Sequence, residues 1–286
     1  MPEILIQPPI GEPIDLAEAK LQLRITEASQ DAIVRAMLSA ARQAAETKTR
    51  QQMLHARWKL VIDRFPMAGV GTPLPFANTV NIPGYAILLP HAPVVQVVKI
   101  EYLDVSSGTL LLMPAGDYVV NTAFTPALVT PKFGKIWPIP LPQIGAVQIT
   151  YDAGYASPVA LNAAAPTRFF RVAGPVTWNV GDLVQFYNSG GALPPPLAAQ
   201  TPYLIDSAAA GVYSVTDFAA APITFSAAGY GSNYIGVVPE GLRAWTLIRM
   251  GSLYENREEV AILSRGRVQE LPFIDGLLDP YMTTLP

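Results

Sequence analysis

The chain has 286 residues, half of them hydrophobic, with 19 Lys and Arg against 22 Asp and Glu, a net charge of -3 and no Cys. That length suits one large domain or two ordinary ones with a sizeable core, and no run approaches the roughly 18–20 apolar residues of a membrane span. Glu3 stands where a secretory signal would carry basic charge, absent Cys leaves no disulfide framework or thiolate metal site, and the slight negative charge argues against retention on DNA through a basic surface.

The 28 Pro and 21 Gly predict many turns and more strand and coil than helix. Asp15 is placed to cap a short helix ending near Ile25, with Glu18 three residues on as in a capping box and Leu16, Ala19 and Leu23 along one side. Ser29 is placed to cap a longer helix running to about Gln51. Its face of Ile33, Met37, Ala40, Ala41 and Ala44 is rich in small residues and predicts close helix packing. Ala56 to Phe65 alternates Trp58, Leu60 and Ile62 with Lys59, Val61 and Asp63, a half-buried strand. Pro66 to Pro83 breaks any period and reads as a loop long enough to be an arm. Tyr85 to Leu89, Val94 to Asp104, Tyr118 to Asn121 and Ala146 to Asp152 then read as short antiparallel strands of a small sheet beside the helices.

From Ala156 to Val238 the composition changes: Arg168, Arg171, Asp182, Asp206 and Asp217 are the only charged residues. Strand candidates at Arg168–Val172, Leu183–Tyr187, Pro202–Asp206, Val212–Thr216, Ile223–Ser226 and Asn233–Val237, separated by Gly, Pro and Asn turns, predict a compact β-sandwich or barrel inserted in the chain. So weakly charged a surface suits a module that contacts neighbours or belongs to something larger.

Val238 to Glu259 is the clearest helix near the C-terminus, with Pro239 suited to the first helical position and Glu240 to the positive end of the dipole. Leu242, Trp245 and Ile248, followed by Ser252, recur at three- and four-residue spacing and are the candidate core, with Trp245 at its centre. Beyond it, Gly266, Pro272, Gly276 and Pro280 rule out a long helix, while Leu271, Phe273, Ile274, Leu277, Leu278 and Tyr281 are strongly apolar. These six are the candidate partner-binding residues, expected to insert into a neighbouring subunit or another protein. Docking onto their own subunit is the alternative.

Catalytic chemistry finds little support. His55 and His91 flank strands with no Asp/Glu cluster at ligand spacing, and Glu258 and Glu259 point about 100° apart on a helix. Gly229 and Gly231 read as turn glycines, and no Ser stands in a G-x-S-x-G setting. The expectation is a non-enzymatic protein with no catalytic residue, cofactor or metal. Tyr187, Tyr203, Tyr213, Tyr230 and Tyr234 could present a sugar- or protein-binding face on the insertion, or pack within it. Arg249, Arg257, Arg265 and Arg267 form the basic cluster, most simply paired with Glu255, Glu258, Glu259 and Glu270.

YDAGY (Tyr151 to Tyr155) before the insertion and VPEGLRAW with LYENRE after it would be contiguous without it. Together with IDLAEAKLQLRI (from Ile14), AARQAAETKTRQQM (from Ala40), ILLPHAPVVQVVKIEYLD (from Ile87) and LPFIDGLLDPY (from Leu271), in that order and spacing, they resemble the phage head-tail connector, or adaptor, family over residues 13–155 and 238–281. The resemblance implies an α+β fold: a helical core with a small antiparallel sheet formed by residues 1–155 and 238–286, interrupted by the β module at 156–237. It also implies a structural virion protein of the neck, between capsid and tail, made in the host bacterial cytoplasm. Twelve copies would form a ring beneath the portal protein and extend the channel for genomic DNA, which passes without sequence-specific binding and without a membrane. The ring would give a tail-completion or stopper protein its attachment surface. The insertion departs from the family core, as does Met282, where relatives often carry Arg. The alternative is a β-module-bearing tail or decoration protein that binds a receptor or glycan.

Overall fold

The computed structural model describes residues 2–9, 11–66, 84–161, 169–171, 178–199, 201–209, 211–225, 227, 229–256 and 272–283. In chain order these form β1 (Glu3–Gln7), α1 (Leu16–Leu23), α2 (Asp31–Thr49), β2 (Ala56–Ile62), β3 (Ile87–Leu89), β4 (Val94–Leu103), β5 (Leu110–Leu112), β6 (Tyr118–Asn121), β7 (Ala127–Pro131) and β8 (Val147–Ala153). There follow β9 (Ser157–Leu161), β10 (Phe169–Arg171), β11 (Leu183–Ala192), β12 (Pro202–Ala209), β13 (Val212–Thr216), β14 (Tyr230–Gly236), α3 (Glu240–Glu255) and α4 (Pro272–Gly276). The class is α+β. The proposed arm lies mostly outside the described residues.

The elements sort into two compact units, Met1–Pro8 with His55–Gly154 and Thr283–Pro286, and Pro9–Leu54 with Tyr155–Met282. Helices and barrel thus share the second unit, and the sheets form the first.

In the first unit an antiparallel sheet has the order β1-β2-β8-β4-β5, beside a three-stranded sheet ordered β3-β7-β6. β8 is central and closed off on both faces: Val147, Ile149, Tyr151 and Ala153 are buried, as are the alternating Thr150 and Asp152. The apolar side meets Leu60, Ile100, Val129 and Trp137 in one cluster. Edge strands β1 and β5 carry no strand signature in the sequence, because EILIQ and LLL do not alternate apolar with polar residues.

In the second unit Asp15 caps α1, its carboxylate accepting from the Ala17 N–H at 2.8 Å. Arg24 ends the helix at φ 56, its N–H directed to the Leu21 and Lys20 carbonyls. The capping box is not completed by Glu18, which instead binds Arg243 of α3 at 2.8 Å. Nor does Ser29 cap the second helix: a 3-10 turn at Ala28–Gln30 feeds straight into α2, and the Ser29 hydroxyl donates to Glu27 at 3.3 Å. A chain already helical on entry has no extended cap residue for a side chain to serve. The buried face of α2 is Val34, Leu38, Ala41, Arg42, Ala45 and Thr49, one residue round from the expected stripe, so that Ile33 and Ala40 are exposed.

The strands β9 to β14 close as a six-stranded barrel, ordered β10-β13-β12-β11-β14-β9 and back to β10. Its interior is aromatic: Phe169 lies edge-on to Phe186 at 5.4 Å and stacks with Tyr213 at 5.4 Å, while Trp178 meets Tyr213 edge-on at 4.8 Å. Such offset and edge-on pairs match the ring quadrupoles. Of the strand candidate at Ile223–Ser226, the described residues 223–225 do not form a strand, and the Ile223 N–H donates to the Val215 carbonyl at 3.0 Å; Ser226 lies outside the described residues.

Candidate assembly surfaces

On α3, Leu242, Trp245, Thr246 and Met250 are buried and Ile248 is half-buried. The seam turns toward Met250 because α1 and α2 cover that side, where Met250 packs with Val34, Leu38 and Ala41. Leu242 and Trp245 join Ala45, Met53, Leu54, Val238 and Leu278 in a separate cluster.

The C-terminal segment lies against this second cluster. Leu278 is buried in it, and Ile274, Leu277 and Tyr281 pack on it half-buried, within their own chain. Leu271 lies outside the described residues. The position is fixed by polar contacts as well: Trp245 Nε1 donates to Asp275 at 3.3 Å, and Lys48 Nζ pairs with Asp275 at 2.5 Å. Hydrogen bonds from Lys48 and Trp245 hold the Asp275 carboxyl below the usual carboxylate range. A Cβ at Gly241 would stand 2.9 Å from the Tyr281 ring and 3.1 Å from the Leu277 carbonyl, so the absent side chain lets the tail close on the start of α3. These side chains make local contacts because a segment too broken to bury its own apolar atoms finds the nearest open face, that of α3.

Two buried polar networks anchor the units. In the second, Arg42 binds Glu12 and Glu46, each at 2.7 Å, and Glu46 also accepts from the Met53 N–H at 3.0 Å and the Gln52 amide at 2.7 Å. Burial raises the Glu46 pKa against the lowering effect of Arg42. In the first, Asp152 is fully buried and takes a two-pronged contact from Arg57, at 2.7 and 2.9 Å, with Gln96 at 2.8 Å and His55 Nε2 at 3.6 Å. Burial would raise the Asp152 pKa, but hydrogen bonds from His55, Arg57 and Gln96 outweigh it and hold it well below the ordinary range.

Both histidines therefore have carboxylate partners that sequence spacing did not show. His91 Nε2 lies 2.8 Å from Glu3 and its ring stacks on Trp58 at 3.7 Å. Burial lowers the His91 pKa while Glu3 opposes it. These are packing and pairing roles. Among the described residues no three metal-ligating side chains gather. Of the insertion's tyrosines, Tyr187, Tyr203, Tyr213 and Tyr234 are buried and only Tyr230 is exposed, so they do not form a sugar-binding face. Arg249 and Glu255 are exposed on α3; the other members of the basic cluster and their partners lie outside the described residues.

The exposed apolar residues concentrate on the sheet unit. Between β7 and β8, Phe133, Ile136, Ile139 and Ile144 project into solvent, Ile144 at 90% exposure. This loop is pinned at its base: Trp137 stacks on Phe65 at 4.8 Å and donates to the Tyr85 carbonyl at 2.6 Å, Lys135 pairs with Asp117 at 2.9 Å, and the Gly145 N–H reaches Asp63 at 2.8 Å. The sheet edges add Ile4, Leu5 and Ile6 on β1 and Leu110, Leu111 and Leu112 on β5. A rigid loop with four large apolar side chains in water is characteristic of a surface that is covered in an assembly.

Solved chains of similar fold come from gene transfer agent particles. In the neck of an empty gene transfer agent (GTA) particle computed with C6 symmetry, the similar chain is 15% identical at TM-score 0.56, covering 100% of this chain and 97% of that one. A chain in the virion of the native GTA particle is 16% identical at TM-score 0.55, and one in the native neck computed with C12 symmetry is 15% identical at 0.54, with the same coverage. At these identities the likeness is one of fold. No curated protein matches. Residues 13–75, which take in α1, α2 and β2, match the phage gp6-like head-tail connector protein family, and over that segment the chain is similar to those connectors.

Proposed function

We propose that this chain is a structural protein of a virion neck, a head-tail connector whose copies form a ring, twelve in number, beneath the portal protein. The ring continues the DNA channel toward the tail and gives a tail-completion or stopper protein its attachment surface. The observation that carries the reading is a coincidence: a connector-family match at residues 13–75, and a fold similar over its whole length, barrel included, to chains of particle necks. A neck computed with C12 symmetry supports twelve copies. The pinned apolar loop of Phe133, Ile136, Ile139 and Ile144 is the contact we assign to another ring of the neck, because its side chains are directed outward on a rigid base. Residues 156–237 form a module inserted into the connector core, and the tail acts by securing α3 within its own subunit.

Negative-stain images of the purified protein, alone and mixed with assembled portal, test the proposal. Twelve-fold rings, free or seated on portal, are expected. A protein that stays monomeric with portal and is absent from purified particles would overturn it.

A further inference from the structure

We propose that ring neighbours join through opposite edges of the five-stranded sheet, β5 of one copy lying against β1 of the next; the inference rests on the ring reading above. Among the described residues β1 pairs only with β2, and β5 only with β4, so each presents a row of unpaired backbone groups. The edges are apolar as well as open: Ile4, Leu5 and Ile6 on one, Leu110, Leu111 and Leu112 on the other, with Leu112 63% exposed. Monomeric proteins guard such edges with charged side chains. β5 carries none, and the one charge on β1, Glu3, is turned to His91 at 2.8 Å. The register shift in β1 between Leu5 and Gln7 limits regular pairing there to Glu3–Leu5, three residues, which is also the length of β5.

The occupant is a second copy for a geometric reason. Each strand in the order β1-β2-β8-β4-β5 is antiparallel to its neighbour, so β1 and β5 run in the same sense. Copies in a closed ring differ by a small rotation, which keeps that sense, and β5 therefore meets the next copy's β1 as a parallel strand. A ring requires two different patches on one chain, whereas a two-fold dimer would place β1 on β1 or β5 on β5, antiparallel. Strand addition of this kind draws affinity from main-chain hydrogen bonds and specificity from the apolar side chains.

The chain has no Cys, so introduced pairs report cleanly. Full-length protein carrying Leu5→Cys with Leu111→Cys, and two further chains pairing Leu5→Cys with Leu110→Cys or Leu112→Cys, would be assembled, checked for rings by negative stain, oxidised and run on a denaturing gel. In the pair whose Cα atoms come within the roughly 4.4–6.8 Å that a disulfide spans, a reductant-sensitive ladder up to the ring size is expected, while each single variant stays monomeric. Rings with no ladder in any pair would overturn the edge joint and leave the ring reading standing. Dimers from Leu5→Cys alone would also overturn it, as a two-fold contact. Absence of rings with and without portal would overturn both. The exposed Leu111→Lys gives a second measurement: an unchanged melting temperature with loss of rings by light scattering supports the joint, and rings that persist refute it.

Discussion

Truncating Trp245 to Ala tests the packing on which α3 and the tail depend. The indole is 5% exposed, in a cluster with Ala45, Met53, Leu54, Val238, Leu242 and Leu278, with Ile274, Leu277 and Tyr281 against it. Removing so large a buried side chain costs about 3–5 kcal/mol, the transfer free energy of the lost atoms plus the cavity left behind. The hydrogen bond to Asp275 adds little, because at 3.3 Å and to a half-exposed carboxylate it lies at the weak end of the ~0.5–1.5 kcal/mol range. The site has little means of collapsing, since α2 approaches from one side and the tail from another, which favours the upper half of the range. At roughly 2–4 °C per kcal/mol for a unit of this size, the transition of the helix and barrel unit should fall by about 10 °C or more. Urea unfolding followed by circular dichroism measures this without relying on the fluorophore removed, and Ile248→Ala, at a half-buried position on the same helix, should cost clearly less. A loss below ~1 kcal/mol for Trp245→Ala would refute the placement of α3 against α2 and the tail.

Asp152→Asn leaves the Arg57 guanidinium and the buried His55 without their shared anion, and about 3 kcal/mol of destabilisation is expected, the lower end for a broken buried pair because Arg57 retains some solvent. Since the folded Asp152 pKa lies below its unfolded value, its contribution is fully present above pH ~4 and fades as pH falls toward the folded value. Glu46, raised by burial, works in the opposite sense, so in a pH series of urea midpoints the Asp152→Asn variant should show the shallower acid decline. Truncation after Glu270 should lower the stability of the helix unit by at least ~2 kcal/mol, because Leu278 alone is 1% exposed; an unchanged urea midpoint would show that the tail's contacts carry no stability.

What was legible in the sequence was what local chemistry dictates. The Asp15 cap, the barrel strands from Leu183, Pro202 and Val212, and the long C-terminal helix all follow from capping, alternation or helical spacing. The errors have physical causes. The buried face of α2 differs by one residue from the one its spacing predicts, because Ile33 and Val34 are equally apolar and adjacent, and only the position of α1 and α3 decides which turns inward. Glu18 at capping-box spacing was drawn instead to Arg243, 225 residues away, a partner that no local pattern contains. The same holds for Asp152 with Arg57 and for His91 with Glu3, which meet only once strands pair. Edge strands β1 and β5 escaped notice because strand alternation records a buried face opposite a wet one, and these strands are exposed on both.

The two β structures of this chain handle their edges in opposite ways, and that contrast bears on which of them assembles. The barrel carries almost no charge, yet closure through the β9–β10 pair leaves no free strand edge among its described residues, so a neutral surface brings little risk of uncontrolled pairing. The sheet unit is better charged but ends in two open apolar edges. Its assembly should therefore survive loss of the barrel. Ser157 pairs with Ile235, so the ends of the module are neighbours and a short Gly/Ser linker can replace residues 158–236. The cost falls on the hydrogen bond from the Gln185 amide to the Glu12 carbonyl and on the packing of Gly236 against Tyr155, contacts within the helix unit that the linker does not restore. A cooperative but somewhat lower melt is expected, with rings of the same subunit number in negative stain. Rings that disappear while the melt stays cooperative would mean that the barrel, and not the open sheet, supplies the contact between copies.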